Sequence, residues 1–242
     1  MDETSYLLRS RMMVWVLALV AACAGGCGKK NQDKGKSEMA DGDPLGAWTE
    51  SLRQDTSPFF ESGDLAGAQR VVDAAIAAAV AEYGSDDLRL AYAYGMLADL
   101  EIEKTKPARA AAARKRQLEI LEKHYPADDK EVLKVVSKVY TEYVAAKQFE
   151  VARPYIDRAI AALERQHGTD SDKVAAQMDY IGALLDMAGE LAAAAGYYKH
   201  ALDKYERLGR SSEATLTASR LVKALRKLGR ADEAEHLAAR YP

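Results

Sequence analysis

Asparagine occurs once in this 242-residue chain, at Asn31, and cysteine twice, at Cys23 and Cys27. Two cysteines four residues apart are too few for a disulfide framework or a zinc ribbon. Proline is held to 6 residues and aromatics to 7%, with 13 Tyr against 3 Phe and 2 Trp. An all-β sandwich or barrel would want more aromatics, β-branched residues and turn residues. Basic charge is not in excess either. The 34 Lys and Arg stand against 37 Asp and Glu, a net charge of −3, so no global basic field favours nucleic acid as a partner. The uncharged stretch Met12 to Gly28 is 17 residues and ends in glycines, short of the roughly 20 apolar residues of a membrane span. Catalytic signatures are missing as well: there is no His-Glu-x-x-His, no Gly-x-Ser-x-Gly and no Walker-type Gly-x-x-x-x-Gly-Lys-Ser/Thr. Gly26-Cys27-Gly28-Lys29-Lys30 has the flavour of a phosphate loop but no strand before it.

What the chain has in abundance is alanine, 45 residues, which favours helix because Ala loses no side-chain entropy there. The N-terminus differs from the rest. Arg9 and Arg11 precede eleven uncharged residues, Met12–Ala22, and a small-residue patch follows before Lys29-Lys30. That order is the order of an export signal. Val20-Ala21-Ala22-Cys23 resembles the bacterial lipobox, and the resemblance implies that Cys23 receives a diacylglycerol and becomes the new N-terminus. Ala24-Gly25-Gly26-Cys27 is the weaker alternative, which would place the lipid on Cys27. Ala24 follows Cys23 where an Asp would signal inner-membrane retention, so the resemblance points to an outer-membrane lipoprotein facing the periplasm. From Gly28 to Gly46 the chain is Gly- and charge-rich with almost no apolar residue, a composition that cannot build a core. As a flexible coil it spans about 25 Å. The expected organisation is a signal peptide over 1–22, a tether over 23–46 and a folded domain over 47–242.

That domain repeats itself. The turns at Gly63, Thr105, Lys147, Gly189 and Gly229 are separated by 42, 42, 42 and 40 residues, and five residues after each comes alanine: Ala68, Ala110, Ala152, Ala194 and Ala234. Second turns recur at Tyr83-Gly84, Tyr125-Pro126, His167-Gly168 and Leu208-Gly209, so the units run roughly 47–86, 87–128, 129–170, 171–211 and 212–242. Each reads as helix, turn, helix. In unit three Val132, Val135, Val136, Val139 and Tyr143 form one stripe, and Phe149, Ala152, Ile156, Ala159, Ile160 and Leu163 the next. Units of this kind bury stripes that none could bury alone, which is the logic of a solenoid.

The pattern resembles the tetratricopeptide repeat (TPR) family, in its 42-residue, kinesin-light-chain-like form. Gly189–Gly209 reads like that family's second helix, Ala152-Arg153-Pro154-Tyr155 carries its tolerated Pro, and His167–Asp172 looks like its inter-repeat turn. The resemblance implies an all-α fold, a right-handed α-solenoid of about five repeats, whose first helices line an inner groove for a protein or peptide partner. Carried over by offset, the groove positions are Arg53, Tyr92, Asp99, Lys134, Thr141, Asp179, Asp186, Lys223 and Arg226, an acidic middle with a basic C-terminal end. The chain departs from the pattern in places. Pro58 is expected to interrupt the first helix of unit one, leaving Ala47–Phe60 as two short pieces, and Gln117 replaces a small residue in unit two. Unit five stops early, and no asparagine ladder for peptide binding exists.

The remaining candidates read as structural. His124, His167, His200 and His236 are dispersed, and His at a helix end usually complements the dipole. Asp86-Asp87 and Asp128-Asp129 sit where helices start, where acids are favoured. Tyr92, Tyr94, Tyr197 and Tyr198 fit helix packing and groove lining. Arg114-Lys115-Arg116 and the set Arg220, Lys223, Arg226, Lys227 and Arg230 read as solvated faces, the latter dense enough to suit an acidic partner or anionic headgroups. The expected function is therefore a membrane-anchored scaffold for protein partners, without catalysis, metal or cofactor. Alternatives are an outer-membrane or pilus assembly factor of lipoprotein type, a structural spacer, and an enzyme or metal protein with an unrecognised site.

Overall fold

The computed structural model describes residues 43–241. The signal segment, both cysteines and most of the tether lie outside the described residues. Within them, ten helices and no strand follow one another. They are α1 (Pro44–Ser62), α2 (Leu65–Tyr83), α3 (Leu88–Glu103), α4 (Pro107–His124), α5 (Lys130–Ala145), α6 (Phe149–His167), α7 (Asp172–Ala188), α8 (Leu191–Arg207), α9 (Ser211–Lys227) and α10 (Ala231–Arg240). Trp48–Pro242 forms one unit, in which each helix from α2 onward packs on the next in sequence. Among the described residues, no helix is long and apolar enough to cross a membrane.

The period seen in the sequence has a backbone cause. Gly63, Thr105, Lys147, Gly189 and Gly229 all hold left-handed φ, at 74°, 57°, 58°, 90° and 74°. Each follows a first helix and reverses the chain into the second. In four of the units the next N–H closes back over the helix end: Lys106 on Glu101, Gln148 on Tyr143, Glu190 on Leu185 and Arg230 on Leu225, at 2.8 to 2.9 Å. This 6→1 bond is the mark of a left-handed helix stop. Helix starts are capped from the side chain by Asp64, Asp87, Asp129 and Ser171, whose oxygens accept from Gly67, Arg89, Glu131 and Val174 N–H.

All five alanines at the common offset are fully buried, at positions where a larger side chain would push neighbouring helices apart. Two bulky side chains, Gln117 and Tyr198, are accommodated by glycine on the facing helix. A Cβ at Gly95 would meet the Gln117 amide at 2.7 Å, and one at Gly182 would meet the Tyr198 ring at 2.7 Å. Gln117 is thus admitted to unit two because α3 presents no side chain opposite it.

Two expectations are corrected. Pro58 does not divide α1, which is continuous from Pro44 to Ser62. Pro58 faces solvent, so water can take the carbonyl that its missing N–H leaves free, and the helix continues only four residues beyond it. The helix also begins earlier than the tether assignment allows, because Asp43 accepts the Leu45 N–H at 3.1 Å and Pro44 occupies the first helical position, where it is preorganised. Secondly, Arg114 is no part of a solvated face: it is 2% exposed and the largest fully buried side chain.

Candidate interaction surface

The backbones of the first helices of units three to five, α5, α7 and α9, approach one another in succession, whereas second helices meet only through long side chains such as Arg158 on Glu122 and Arg240 on Glu206. Closer spacing among first helices puts them on the inner side of the stack. Of the sequence-derived groove positions, Lys134, Thr141, Asp179, Asp186, Lys223 and Arg226 lie on these helices, Arg53 on α1, and Tyr92 and Asp99 on α3.

Tyr92, Asp99 and Lys134 come together. They line a cleft of about 310 Å³ between α3 and α5, with Phe60, Met96 and Val135 supplying apolar surface and Glu131 and Lys138 at its margin. Arg114 and Gln117 of α4 also line it. Tyr92 is half-buried, and burial pushes its phenol upward. Arg53 lies near enough for its charge to reach Tyr92, but its guanidinium grips Glu50 at 2.8 and 2.6 Å. That fork holds the exposed Glu50 carboxyl down to about 2. Thr141 turns inward, donating to the Ser137 carbonyl at 2.8 Å and lying against the Tyr180 hydroxyl.

The acids expected to give the groove a negative middle are neutralised within the fold. Asp99 is paired with Arg114 and, at 3.6 Å, with Lys138. Asp179 is paired with Arg220 and accepts the Thr217 hydroxyl at 2.9 Å. Asp186 meets Lys227 at 2.6 Å. For Asp179 and Asp186 the cation comes from α9, 41 residues later, one position beyond the repeat-equivalent residue. What remains outward is basic. Lys223 and Arg226 are exposed and hold no ion pair among the described residues, and Lys134 meets only Glu131 of its own helix, at 3.6 Å.

Beneath the cleft lies a buried polar network that sequence reading missed. Arg114 Nε donates to Glu142 at 2.9 Å, and Nη1 donates to the Gly95 carbonyl at 3.2 Å and to Gln117 Oε1 at 3.0 Å. Nη2 donates to Asp99. Burial raises the Glu142 carboxyl despite the opposing pull of Arg114, and its second oxygen is buried without a partner. The repeat register held a signal for both residues. Arg114 occupies the place of Val72, Ile156 and Tyr198 in other units, and Glu142 that of Leu100 and Leu184, all buried core positions. Two charged residues in apolar registers were thus a pair awaiting each other.

On the inter-repeat side, Asp86, Asp128 and Asp170 pair with Lys123, Arg165 and Arg207 at 2.6, 2.5 and 3.4 Å. Each cation lies 37 residues after its acid. The hydrogen bond and charge of Lys123 lower the Asp86 carboxyl. These acids belong to ion pairs at turns, and Asp87 and Asp129 to helix caps. Among the described residues no three His, Cys, Asp or Glu side chains gather in a metal-like cluster.

No family model and no curated protein sequence matches this chain. Solved structures do. BtubC (BKLC) from P. vanneervenii is 21% identical with a TM-score of 0.55, over 81% of this chain and 79% of that one. A Podosopora anserina protein of nearly identical TPR-like repeats, designated a kinesin light chain, is 15% identical with a TM-score of 0.58, over 81% of this chain and 92% of that one. A single-residue variant of the same protein gives 14% and 0.57 over the same shares. The chain therefore has the fold of a TPR-like α-solenoid. At these identities the likeness is one of fold.

Proposed function

We propose that this chain is a scaffold, held at a bacterial outer membrane by lipid on Cys23 and facing the periplasm, that binds a protein segment along its first helices without catalysing a reaction. Cys27 is the alternative lipid site. The observation that carries the binding role is the cleft between α3 and α5, where half-buried Tyr92, Phe60, Met96 and Val135 offer apolar contact beneath Lys134 and Lys138. Apolar pockets of this kind supply affinity, while charges at the rim govern encounter and register. The unpaired Lys223 and Arg226 extend the basic margin toward the C-terminus. The lipobox-like Val20-Ala21-Ala22-Cys23 supports the anchor. The test is capture of partners from membranes by the full-length chain and by its Lys134→Glu/Arg226→Glu double variant. The variant should retain wild-type helicity by circular dichroism, since both side chains are solvated, and lose most of its capture. Undiminished capture by the folded double variant would move the interaction off the first helices.

A further inference from the structure

At the turn inside unit two and the turn inside unit three, the chain places three cations where local structure does not favour them. Lys147 holds a left-handed φ of 58°, a conformation that is unfavourable for a residue with a Cβ and that Gly adopts freely. Units one, four and five use Gly at this position. Lys106 occupies the N-cap of α4, where, like Gln148, Glu190 and Arg230 at the starts of the later second helices, it makes no side-chain capping bond, and its charge sits at the positive end of the helix dipole. Arg109 adds a further cation to the first turn of α4, the positive end of its dipole, and that turn contains no acid. Such breaches of local rules tend to collect at functional sites.

The three cations converge. Lys106, Arg109 and Lys147 line one cleft of about 420 Å³, floored by Pro107, Ala108, Ala145 and Ala146. None of the three holds an ion pair among the described residues. Glu150, the acid closest in sequence to Lys147, reaches Arg153 instead, at 3.8 Å. Elsewhere in the solenoid the pattern is the reverse, since the acids of the inter-repeat turns are met by cations 37 residues on.

We infer that this turn edge of units two and three is a second docking surface, separate from the first-helix groove, for an acidic polypeptide segment that carries a small apolar side chain. The cations complement its carboxylates, and the alanine and proline floor takes the apolar group. A flat layer of anionic headgroups would meet the cations but leave the floor unfilled, so a polypeptide is the better fit.

The probe is a fluorescein-labelled peptide rich in Asp and Glu with one central Leu, titrated by anisotropy into the full-length chain. Lys147→Gly should raise the melting temperature by relieving the backbone, yet weaken peptide binding by about fivefold through loss of one rim charge. Thr105→Gly relieves the matching residue of unit two, at φ 57°, so it should raise the melting temperature and leave binding unchanged. Lys106→Glu/Arg109→Glu/Lys147→Gly should abolish binding. Each titration is run in the Lys134→Glu/Arg226→Glu background, which removes the basic groove margin as a rival site for the acidic peptide. Undiminished affinity when the triple change is added to that background would overturn the inference, and so would loss of all peptide binding in the groove variant alone. So would a wild-type chain that ignores the peptide and whose sedimentation with phosphatidylglycerol vesicles is lost in the triple variant, which would assign this edge to a membrane.

Discussion

At the scale of single residues, charge type says less than position in the repeat. Arg114 sits beside Lys115 and Arg116 in the sequence, and all three look alike by composition. Only Arg114 falls in the register that Val72 and Ile156 occupy elsewhere, and only Arg114 is swallowed. Its presence is tolerable because Glu142 stands in another core register and closes on it at 2.9 Å. Removing one member of such a pair leaves an uncompensated buried charge. Arg114→Ala should therefore cost about 3 to 5 kcal/mol in urea unfolding. The joint replacement Arg114→Met/Glu142→Leu should be neutral or stabilising, because it restores the apolar character of both registers. A double variant as unstable as Arg114→Ala would show that the loss comes from packing volume and not from the orphaned charge.

At the scale of helices and turns, most of the architecture is local chemistry. A left-handed stop, a capped start and an alanine five residues past the stop recur in unit after unit. The alanine is the most sensitive point, because it is where the second helix is fully enclosed. Ala152→Leu or Ala194→Leu should cost roughly 1 to 3 kcal/mol by overpacking. Ala127→Leu, at an exposed turn position, should stay within about 0.5 kcal/mol. Equal melting temperatures for the three variants would mean that the crossings are not where the burial places them. The start of α1 at Asp43-Pro44, a cap followed by a proline at the first helical position, was missed, because the Gly- and charge-rich composition around it reads as tether. The continuity of α1 through Pro58 was not legible either, since a proline's cost depends on whether the freed carbonyl faces water, and that is set by the surface on which the helix lies.

At the scale of the whole molecule, the question is how a solenoid that joins neighbour to neighbour presents surfaces to something else. Its basic groove margin, the second cationic edge and the proposed lipid would place partner binding and anchoring on different parts of one chain. Anchoring has the simplest test. Cys23→Ser should release the protein from the membrane fraction, and intact-mass analysis of the mature N-terminal peptide should find diacylglycerol on Cys23 in the wild type. A mature chain that begins elsewhere and carries no lipid on Cys23 or Cys27 would end the lipoprotein reading.

The period, the helical class and the places where the chain turns were determined by the sequence alone, because each depends on interactions that reach only a few residues: alanine's helix propensity, a side-chain cap, a left-handed stop. The tertiary structure decided which charges are available to a partner. Asp179 and Asp186 look like groove acids until α9 folds against them and supplies Arg220 and Lys227. Asp99 looks free until Arg114 and Lys138 close on it. Those pairings span 15 to 41 residues, and which cation meets which acid depends on how far each repeat is rotated on the last. That rotation is set by the packing of whole helix faces, while within a unit glycines such as Gly95 and Gly182 fix how closely its two helices approach.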